Sequence, residues 1–206
     1  SLNSLYGYPP GTVFKEDTLP NPSSVYGWTK GAVEQLYRVY YLSYRVPVVI
    51  TRVGSAYSAL GRSDELSQRL VLYALRNKDF YLRSPRAKRL WTYVKDVLEF
   101  YKHLVEKLDE AIGLTLLCAG NRGDEVVTNL ELAELVKCLA NSKMRIIEGD
   151  YEPGELVGGK PVDFKVDASF TRELLKWKPE YSLEEGFRDM INEFKKVLEW
   201  KKLYYA

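Results

Sequence analysis

Short apolar runs alternate with helical patterns along the whole chain, and this alternation constrains the fold more than any other feature of the sequence. The run at 46–53 is rich in β-branched residues and is typical of a buried parallel strand. Helical patterns over 24–44 and 64–77 lie on either side of it. Because helices that connect parallel strands cover the faces of a sheet, the sequence predicts an α/β fold with a mainly parallel sheet.

Local signals predict where several helices begin. Capping boxes starting at Thr128 and Ser182 indicate two helix starts. A serine at 23–24 is a candidate cap for the 24–44 helix, and Asp167 for a short helix that ends near Pro179. Strands are also predicted at 2–6, 80–82, 90–94, 113–118, 144–147 and 162–166, and a helix at 96–111.

Composition narrows the classes of function. Thirty Lys and Arg against 28 Asp and Glu are close to balance, which disfavours a nucleic-acid-binding domain. No run approaches eighteen apolar residues, so no membrane span is predicted, and 1–6 lacks the pattern of a signal peptide. A cytoplasmic location is expected. The high charged fraction of 28% favours a thermophilic source.

The metal-binding and nucleophilic residue types are scarce. Cys118 and Cys138 lie twenty positions apart, which is not a zinc pattern, and both thiols are expected to be buried. His103 is the single histidine, which leaves little room for histidine-based metal chemistry or a Ser-His-Asp triad. No metal site is predicted.

Tyr26 and Lys30 lie four residues apart near the start of the 24–44 helix, so both side chains leave the same helix face. A lysine ammonium close to a phenol stabilises the phenolate and lowers the pKa of a tyrosine from its usual ~10. Such a tyrosine can remove a proton from an alcohol while hydride leaves the adjacent carbon. In isolation, this spacing is more typical of an amphipathic helix with a solvated lysine.

The surrounding motifs favour the catalytic interpretation of Tyr26 and Lys30. They are Leu5-Tyr6-Gly7, Pro22-Ser23-Ser24-Val25-Tyr26-Gly27-Trp28-Thr29-Lys30, Pro47-Val48-Val49-Ile50-Thr51-Arg52, Arg89-Leu90-Trp91-Thr92-Tyr93-Val94-Lys95-Asp96 and Ser182-Leu183-Glu184-Glu185-Gly186. In this order and spacing the chain resembles, over essentially all of its length, the NAD-dependent nucleotide-sugar epimerase/dehydratase family of the extended short-chain dehydrogenase/reductases.

The resemblance implies a partial Rossmann-like parallel sheet that lacks its first βα units, with a smaller α/β substrate-binding region. Residues 1–53 and 86–120 would form the remainder of the dinucleotide-binding Rossmann domain. Residues 54–85 and 121–206 would form the substrate-binding region.

The resemblance also implies roles for individual residues. Tyr26 would be the catalytic acid/base, and Lys30 would hold the nicotinamide ribose hydroxyls. Val53 and Gly54 would contact the nicotinamide through their backbone. Arg89 would bind the nucleotide diphosphate, a task that suits bidentate charge-assisted hydrogen bonds. The alternative for Arg89 is a surface ion pair.

Several positions depart from the family pattern. Leu2 stands four residues before Tyr6, where Ser or Thr is usual, and leucine cannot relay a proton. Ser4 lies on the same strand face and is a candidate catalytic replacement; its alternative is a bond to nearby backbone. Ser55 stands where the family often has a substrate-binding asparagine. Arg62 is a second candidate at the nucleotide, with a solvated surface side chain as its alternative.

The sequence contains no Gly-x-Gly-x-x-Gly loop for a dinucleotide pyrophosphate. Three or four missing βα units, roughly a hundred residues, are therefore expected upstream. The residue that discriminates NAD from NADP would lie there, so NAD is expected and NADP stays open.

The predicted function is a nucleotide-sugar epimerase, which oxidises a sugar hydroxyl and re-reduces the ketone on its opposite face. This chain alone is expected to be inactive. A 4,6-dehydratase is disfavoured because Asn3 and Ser4 stand where those enzymes place Asp-Glu.

A family reductase and a non-catalytic nucleotide-sugar-binding or dimerisation module are the alternatives. An upstream Gly-rich loop in the same reading frame would favour the enzyme. The expected partner is a second copy, bound through the helix that carries Tyr26 and Lys30.

Overall fold

The computed structural model describes residues 11–62, 64–150, 156–157, 160–161 and 164–204. Strands and helices alternate through most of this part of the chain. The strands are β1 (Thr12–Phe14), β2 (Ile50–Val53), β3 (Ser55–Tyr57), β4 (Phe80–Leu82), β5 (Lys88–Tyr93), β6 (Thr115–Cys118), β7 (Val126–Thr128), β8 (Ile146–Glu148), β9 (Leu156–Val157), β10 (Lys160–Pro161) and β11 (Phe164–Val166). The helices are α1 (Val25–Tyr44), α2 (Leu66–Leu75), α3 (Val94–Glu106), α4 (Leu108–Ala111), α5 (Asn129–Leu139), α6 (Ser169–Leu175) and α7 (Leu183–Tyr204).

Parallel pairing dominates the strands. β2 pairs with β6, β1 with β11, β4 with β8 and β3 with β5, all in parallel. The antiparallel pairs are β5 with β7 and β9 with β10. Because parallel neighbours need long crossover connections, each of these parallel pairs joins distant parts of the chain. The predicted α/β fold with mainly parallel strands is confirmed.

Strand β6 is buried on both faces, as parallel strands usually are. On one face Leu116 packs in a cluster with Phe100 of α3 and Trp177. On the other, Leu117 packs with Phe14 of β1. The alternation of side chains along the strand separates the two clusters.

A third and larger cluster joins β3, β4 and β5 to α2, α5 and α7. At its centre Tyr57 stacks on Phe187 with ring centroids 4.2 Å apart, and Trp91 meets both rings edge-on. Leu70 and Leu132 complete the burial. This cluster fixes the face of β3 and β5 that borders the candidate site.

Helix α1 is long but shallowly packed. Ser24 caps it, since the Gly27 amide donates to Ser24 Oγ at 3.0 Å, and Arg45 ends it in the left-handed conformation. Its buried residues are Gly27, Gly31 and Glu34. The predicted cap and span are therefore confirmed, whereas most of the large apolar side chains of α1 are exposed.

The capping boxes at Thr128 and Ser182 are also confirmed. The proposed cap of α6 is wrong: Ala168 is the N-cap residue, and Asp167 instead accepts from the Ser169 amide. The predicted 96–111 helix is interrupted at Lys107, which has φ −113° and ψ 23°.

Three short strands, β1, β3 and β7, were not predicted, because three residues carry no measurable periodicity. The equally short β4 was predicted at 80–82, where all three residues are large and apolar or aromatic. The predicted 46–53 strand shortens to Ile50–Val53, the part that pairs with β6. The predicted strand at 2–6 lies outside the described residues, and the division into two regions stays a prediction.

The two cysteines differ in burial. Cys118 is buried as expected, and burial raises the pKa of its thiol, but Cys138 is exposed. Among the described residues, the helices are too short or too polar to cross a membrane.

Candidate functional site

Two cavities meet at Tyr26. The α1 cavity, of about 270 Å³, lies between α1 and β2. The β3 cavity, of about 480 Å³, lies beyond the end of β2, beside β3 and α2. The α1 cavity is lined by Tyr26, Lys30, Val33, Glu34, Tyr37 and 49–53. The β3 cavity is lined by Tyr26, 54–58, Gly61, Arg62, 65–68, Arg89, Trp91 and Val94.

The Tyr26–Lys30 pair stands at the border of the two cavities. Lys30 Nζ lies 5.5 Å from the centre of the Tyr26 ring, as expected for residues one helical turn apart. The Tyr26 side chain is 53% exposed, so a ligand in either cavity can reach it. The helix start capped by Ser24 holds both residues on one face.

One turn further along α1, Glu34 anchors the helix to β2. Glu34 and Arg52 are both buried, and Arg52 Nε donates to Glu34 Oε2 at 3.1 Å while Arg52 Nη2 donates to Glu34 Oε1. Arg52 Nη1 also donates to the carbonyl oxygens of Glu16 and Thr18, at 3.2 and 2.8 Å. This arginine therefore ties together β2, α1 and the segment that leads into α1.

Val53 and Gly54 form the turning point between the cavities. Val53 pairs with Cys118, and the Gly54 amide donates to the Cys118 carbonyl at 2.9 Å. A Cβ atom at Gly54 would lie 3.0 Å from Thr92 Oγ1. Because that approach is tighter than ordinary van der Waals contact, glycine lets the chain pass from β2 to β3 at this point.

The two candidate arginines have different surroundings. Arg62 is exposed and forms a two-point ion pair with Asp64, at 3.1 and 2.6 Å, and this hydrogen bonding holds the pKa of the Asp64 carboxyl below its usual range. Arg89 is half-buried on β5, where its Nε donates to Asn129 Oδ1 at 3.1 Å. Asn129 is itself held by a bond to the Ser84 carbonyl.

The predicted site residues thus divide between the two cavities. Tyr26, Lys30 and Val53 line the α1 cavity. Tyr26 also lines the β3 cavity, together with Gly54, Ser55, Arg62 and Arg89. Ser4 lies outside the described residues. Among those described, no three His, Cys, Asp or Glu side chains are grouped as metal ligands.

Sequence reasoning missed Gln68 and Trp91, which also line the β3 cavity. Trp91 lies two residues after Arg89 on β5, so strand alternation places both side chains on one face and could have revealed it. Gln68 carries no comparable local signal, because it reaches the cavity through the packing of α2.

Comparisons with known proteins identify the family of the chain. Residues 1–190 match the family described as GDP-mannose 4,6 dehydratase. A Bacillus subtilis protein described as an uncharacterized UDP-glucose epimerase, YtcB, is 29% identical over 192 residues, which are 93% of this chain and 58% of that protein. A UDP-glucuronate 4-epimerase from Thermodesulfobacterium geofontis is 26% identical over 206 residues, 97% of this chain and 59% of that protein.

Solved structures show the same architecture. The crystal structure of UDP-glucuronic acid 4-epimerase from Bacillus cereus, in complex with UDP-glucuronic acid and NAD, superposes with a TM-score of 0.80 at 27% identity, covering 94% of this chain and 59% of that one. The chain spans less than two thirds of the length of each of these relatives. By its match over residues 1–190, and as its motif order predicted, the chain belongs to the GDP-mannose 4,6 dehydratase family, within the nucleotide-sugar epimerases and dehydratases of the extended short-chain dehydrogenase/reductases.

Proposed function

We propose that this chain carries the acid/base and substrate-binding residues of an NAD-dependent nucleotide-sugar epimerase. The observation that supports the proposal most is the position of Tyr26, which borders both cavities. A cofactor in the α1 cavity and a sugar in the β3 cavity would meet at its phenol oxygen. General acid/base catalysis requires this arrangement of a proton-transferring group beside the reacting carbon.

The residues of the α1 cavity fit one end of a dinucleotide. Its volume of about 270 Å³ suits a nicotinamide and its ribose rather than a whole NAD molecule. Lys30 would hold the ribose hydroxyls, and the backbone of Val53 and Gly54 would contact the nicotinamide. When bound, the nicotinamide supplies hydride transfer. Because this sequence has no Gly-rich loop for the pyrophosphate, the chain alone is expected to be inactive.

The residues of this chain would divide the work on the substrate. The Lys30 ammonium stabilises Tyr26 as its phenolate, and this phenolate takes the proton of the sugar hydroxyl and becomes the neutral phenol. Arg89 binds the diphosphate, with Arg62 as a supporting contact if it leaves Asp64. Ser55 offers a hydroxyl to the sugar in the position of the usual asparagine.

The relatives leave the reaction open between epimerisation and dehydration. They include dTDP-glucose 4,6-dehydratases, such as one from Neisseria gonorrhoeae that is 27% identical. We favour an epimerase because Asn3 and Ser4 replace the Asp-Glu pair that the dehydration step needs. A reductase of the same family and a non-catalytic binding module are the remaining alternatives. The proposed partner is a second copy of the chain, and the proposed location is the cytoplasm.

The test uses the longest open reading frame that contains this chain. The purified product is supplied with NAD and with UDP-glucose, UDP-glucuronic acid or dTDP-glucose, and the sugar products are identified by NMR. We expect inversion of one hydroxyl, and Tyr26→Phe should lower turnover ~10²–10⁴-fold because only the acid/base oxygen is lost. Tyr44→Phe, on the same helix, is the matched control.

Near-normal turnover in Tyr26→Phe would disprove the catalytic assignment. Loss of water from the sugar in place of inversion would identify a dehydratase. Binding of nucleotide sugar with no turnover in the unmodified protein would favour the non-catalytic module.

A further inference from the structure

Four side chains that line the β3 cavity carry buried polar atoms with no hydrogen-bond partner among the described residues. One of them, Tyr57, places its hydroxyl against Gly186 of α7. The other three are Ser55 Oγ, Gln68 Oε1 and Trp91 Nε1. Gln68 and Trp91 are only 3% and 4% exposed, so bulk water does not solvate them freely. Because buried polar atoms without partners are rare and unfavourable, a ligand or ordered water is needed in this wall of the cavity.

The fold holds these groups on two sides of one space. Ser55 and Trp91 are register partners in the parallel β3–β5 pair, so their side chains share a face of the sheet. Gln68 lies in the first turn of α2. Its Nε2 donates to the Ser58 carbonyl, a contact that the amide oxygen could not make. This bond sets the orientation of the amide and leaves Oε1 as the acceptor without a partner.

The chemistry of the three groups restricts what can bind them. The indole N–H of Trp91 only donates, the Gln68 carbonyl only accepts, and the Ser55 hydroxyl does either. A carboxylate has no proton for Gln68, and an ammonium has no lone pair for Trp91. Neutral groups that both donate and accept, such as sugar hydroxyls or an acetamido group, can satisfy all three.

The charged residues of the cavity agree with a neutral ligand. Glu65 also lines it and would repel a carboxylate. The cation of Arg62 is paired with Asp64 at 2.6 Å. In the proposed function, Arg89 binds the diphosphate and not the sugar.

We propose, on the basis of that function, that Ser55, Gln68 and Trp91 bind the neutral polar substituents of the sugar. The site then selects a neutral hexose over a hexuronate. A carboxylate in this position would leave Gln68 Oε1 without a hydrogen-bond donor. Because a buried polar group without a partner is unfavourable, such a ligand would bind less tightly than one with a hydroxyl or an amide there.

Calorimetric titration of the product of the longest open reading frame that contains this chain tests the proposal without requiring turnover. The ligands are UDP, dTDP and GDP, each free and as its glucose derivative, together with UDP-glucuronic acid. We expect the matching glucose derivative to bind more tightly than its free diphosphate, and UDP-glucuronic acid to bind less tightly than UDP-glucose. Gln68→Leu should weaken binding of the glucose derivative about tenfold while the affinity for the free diphosphate stays unchanged.

Two controls keep the result interpretable. Gln35→Leu makes the same substitution on exposed α1, away from the β3 cavity, and should change neither affinity. Ser55→Ala is a second variant in the cavity and should also weaken binding of the glucose derivative. Thermal unfolding of each variant verifies that it is folded.

The outcomes separate this proposal from the function on which it rests. If no nucleoside diphosphate and no sugar derivative binds, the proposed function fails and this proposal fails with it. If Gln68→Leu and Ser55→Ala both leave the affinity for the glucose derivative unchanged, ordered water satisfies the three groups and this proposal alone is wrong. Tighter binding of UDP-glucuronic acid than of UDP-glucose would overturn it as well.

Discussion

At the scale of single residues, two arginines that were both candidates for the nucleotide differ in how they are held. Arg62 is exposed and already paired with Asp64, so a ligand must compete for it. Arg89 projects from a strand, and Asn129 accepts a hydrogen bond from its Nε. A half-buried cation on a rigid element is the better preorganised of the two for an anionic ligand.

Arg89→Ala should weaken binding of a nucleoside diphosphate far more than it weakens the fold. Removing one partner of a desolvated charged pair typically costs about 2–5 kcal/mol of binding free energy. Arg62→Ala should cost less than about 1 kcal/mol, because the interactions of exposed charges are weak. Titration calorimetry with UDP measures both. Equal losses in the two variants would show that the arginines share the task, and no loss would remove Arg89 from the site.

At the scale of the elements, α1 is held against β2 by a buried ion pair rather than by large apolar side chains. Gly27 and Gly31 bring the helix close, and Glu34 reaches Arg52 on β2. Buried ion pairs of this kind give orientation more than stability, since desolvation offsets much of the attraction. Here the ion pair fixes the orientation of α1, and with it the positions of Tyr26 and Lys30, which lie two turns and one turn before Glu34.

Glu34→Ala should therefore destabilise the protein strongly, by about 3–5 kcal/mol, because Arg52 would remain buried without its counter-charge. Glu34→Gln keeps a hydrogen-bond acceptor and should cost less. The exposed pair of Glu99 and Lys102 provides the control: Glu99→Ala should change the free energy of unfolding by less than about 1 kcal/mol. Urea denaturation measures all three, and a Glu34→Ala value close to that of Glu99→Ala would contradict the prediction.

At the scale of the whole molecule, acid should destabilise the fold. A hydrogen bond from Lys95 lowers the pKa of Asp189, and bonds from the Thr128 backbone and side chain lower that of Glu131. An acid whose folded pKa lies below its unfolded value stabilises the fold above the unfolded value, near pH ~4, and this stability is lost as pH falls through the folded pKa. Asp96 acts in the opposite direction, since burial raises its pKa.

The measurement is the free energy of unfolding between neutral pH and about pH 2–3, where these carboxylates become protonated. We expect it to fall on the acid side. Asp189→Asn should be less stable than the unmodified protein at neutral pH, and the difference should shrink as the pH falls. A difference that is independent of pH would show that the charge of Asp189 does not contribute.

The exposed face of α1 predicts association of the whole molecule. Tyr37, Tyr40 and Tyr44 are 48%, 45% and 70% exposed, and aromatic surface of this kind is typical of protein interfaces. We expect light scattering to give the mass of a dimer, and Tyr40→Asp with Tyr44→Asp to give a monomer. Leu98→Asp, on the exposed side of α3, should leave the dimer intact; a monomeric unmodified protein would refute the prediction.

Much of this protein could be predicted from local signals. The caps at Ser24, Thr128 and Ser182 need only neighbouring residues, so sequence alone determines where those helices begin. The apolar run that contains β2 is dense enough to identify a buried strand. The order of the motifs was sufficient to indicate the family, because residue types at given spacings can be recognised without knowledge of how the chain packs.

The tertiary structure alone decided the rest. β1, β3 and β7 have three residues each, and they exist because strands far along the chain pair with them. The β3 cavity brings Tyr26 of α1 beside Arg89 of β5, which no local pattern can specify. Gln68 is polar and lies on a helix that otherwise reads as amphipathic. The sequence could not show that its carbonyl is buried without a hydrogen-bond partner, because burial and hydrogen bonding depend on how α2 packs against the strands.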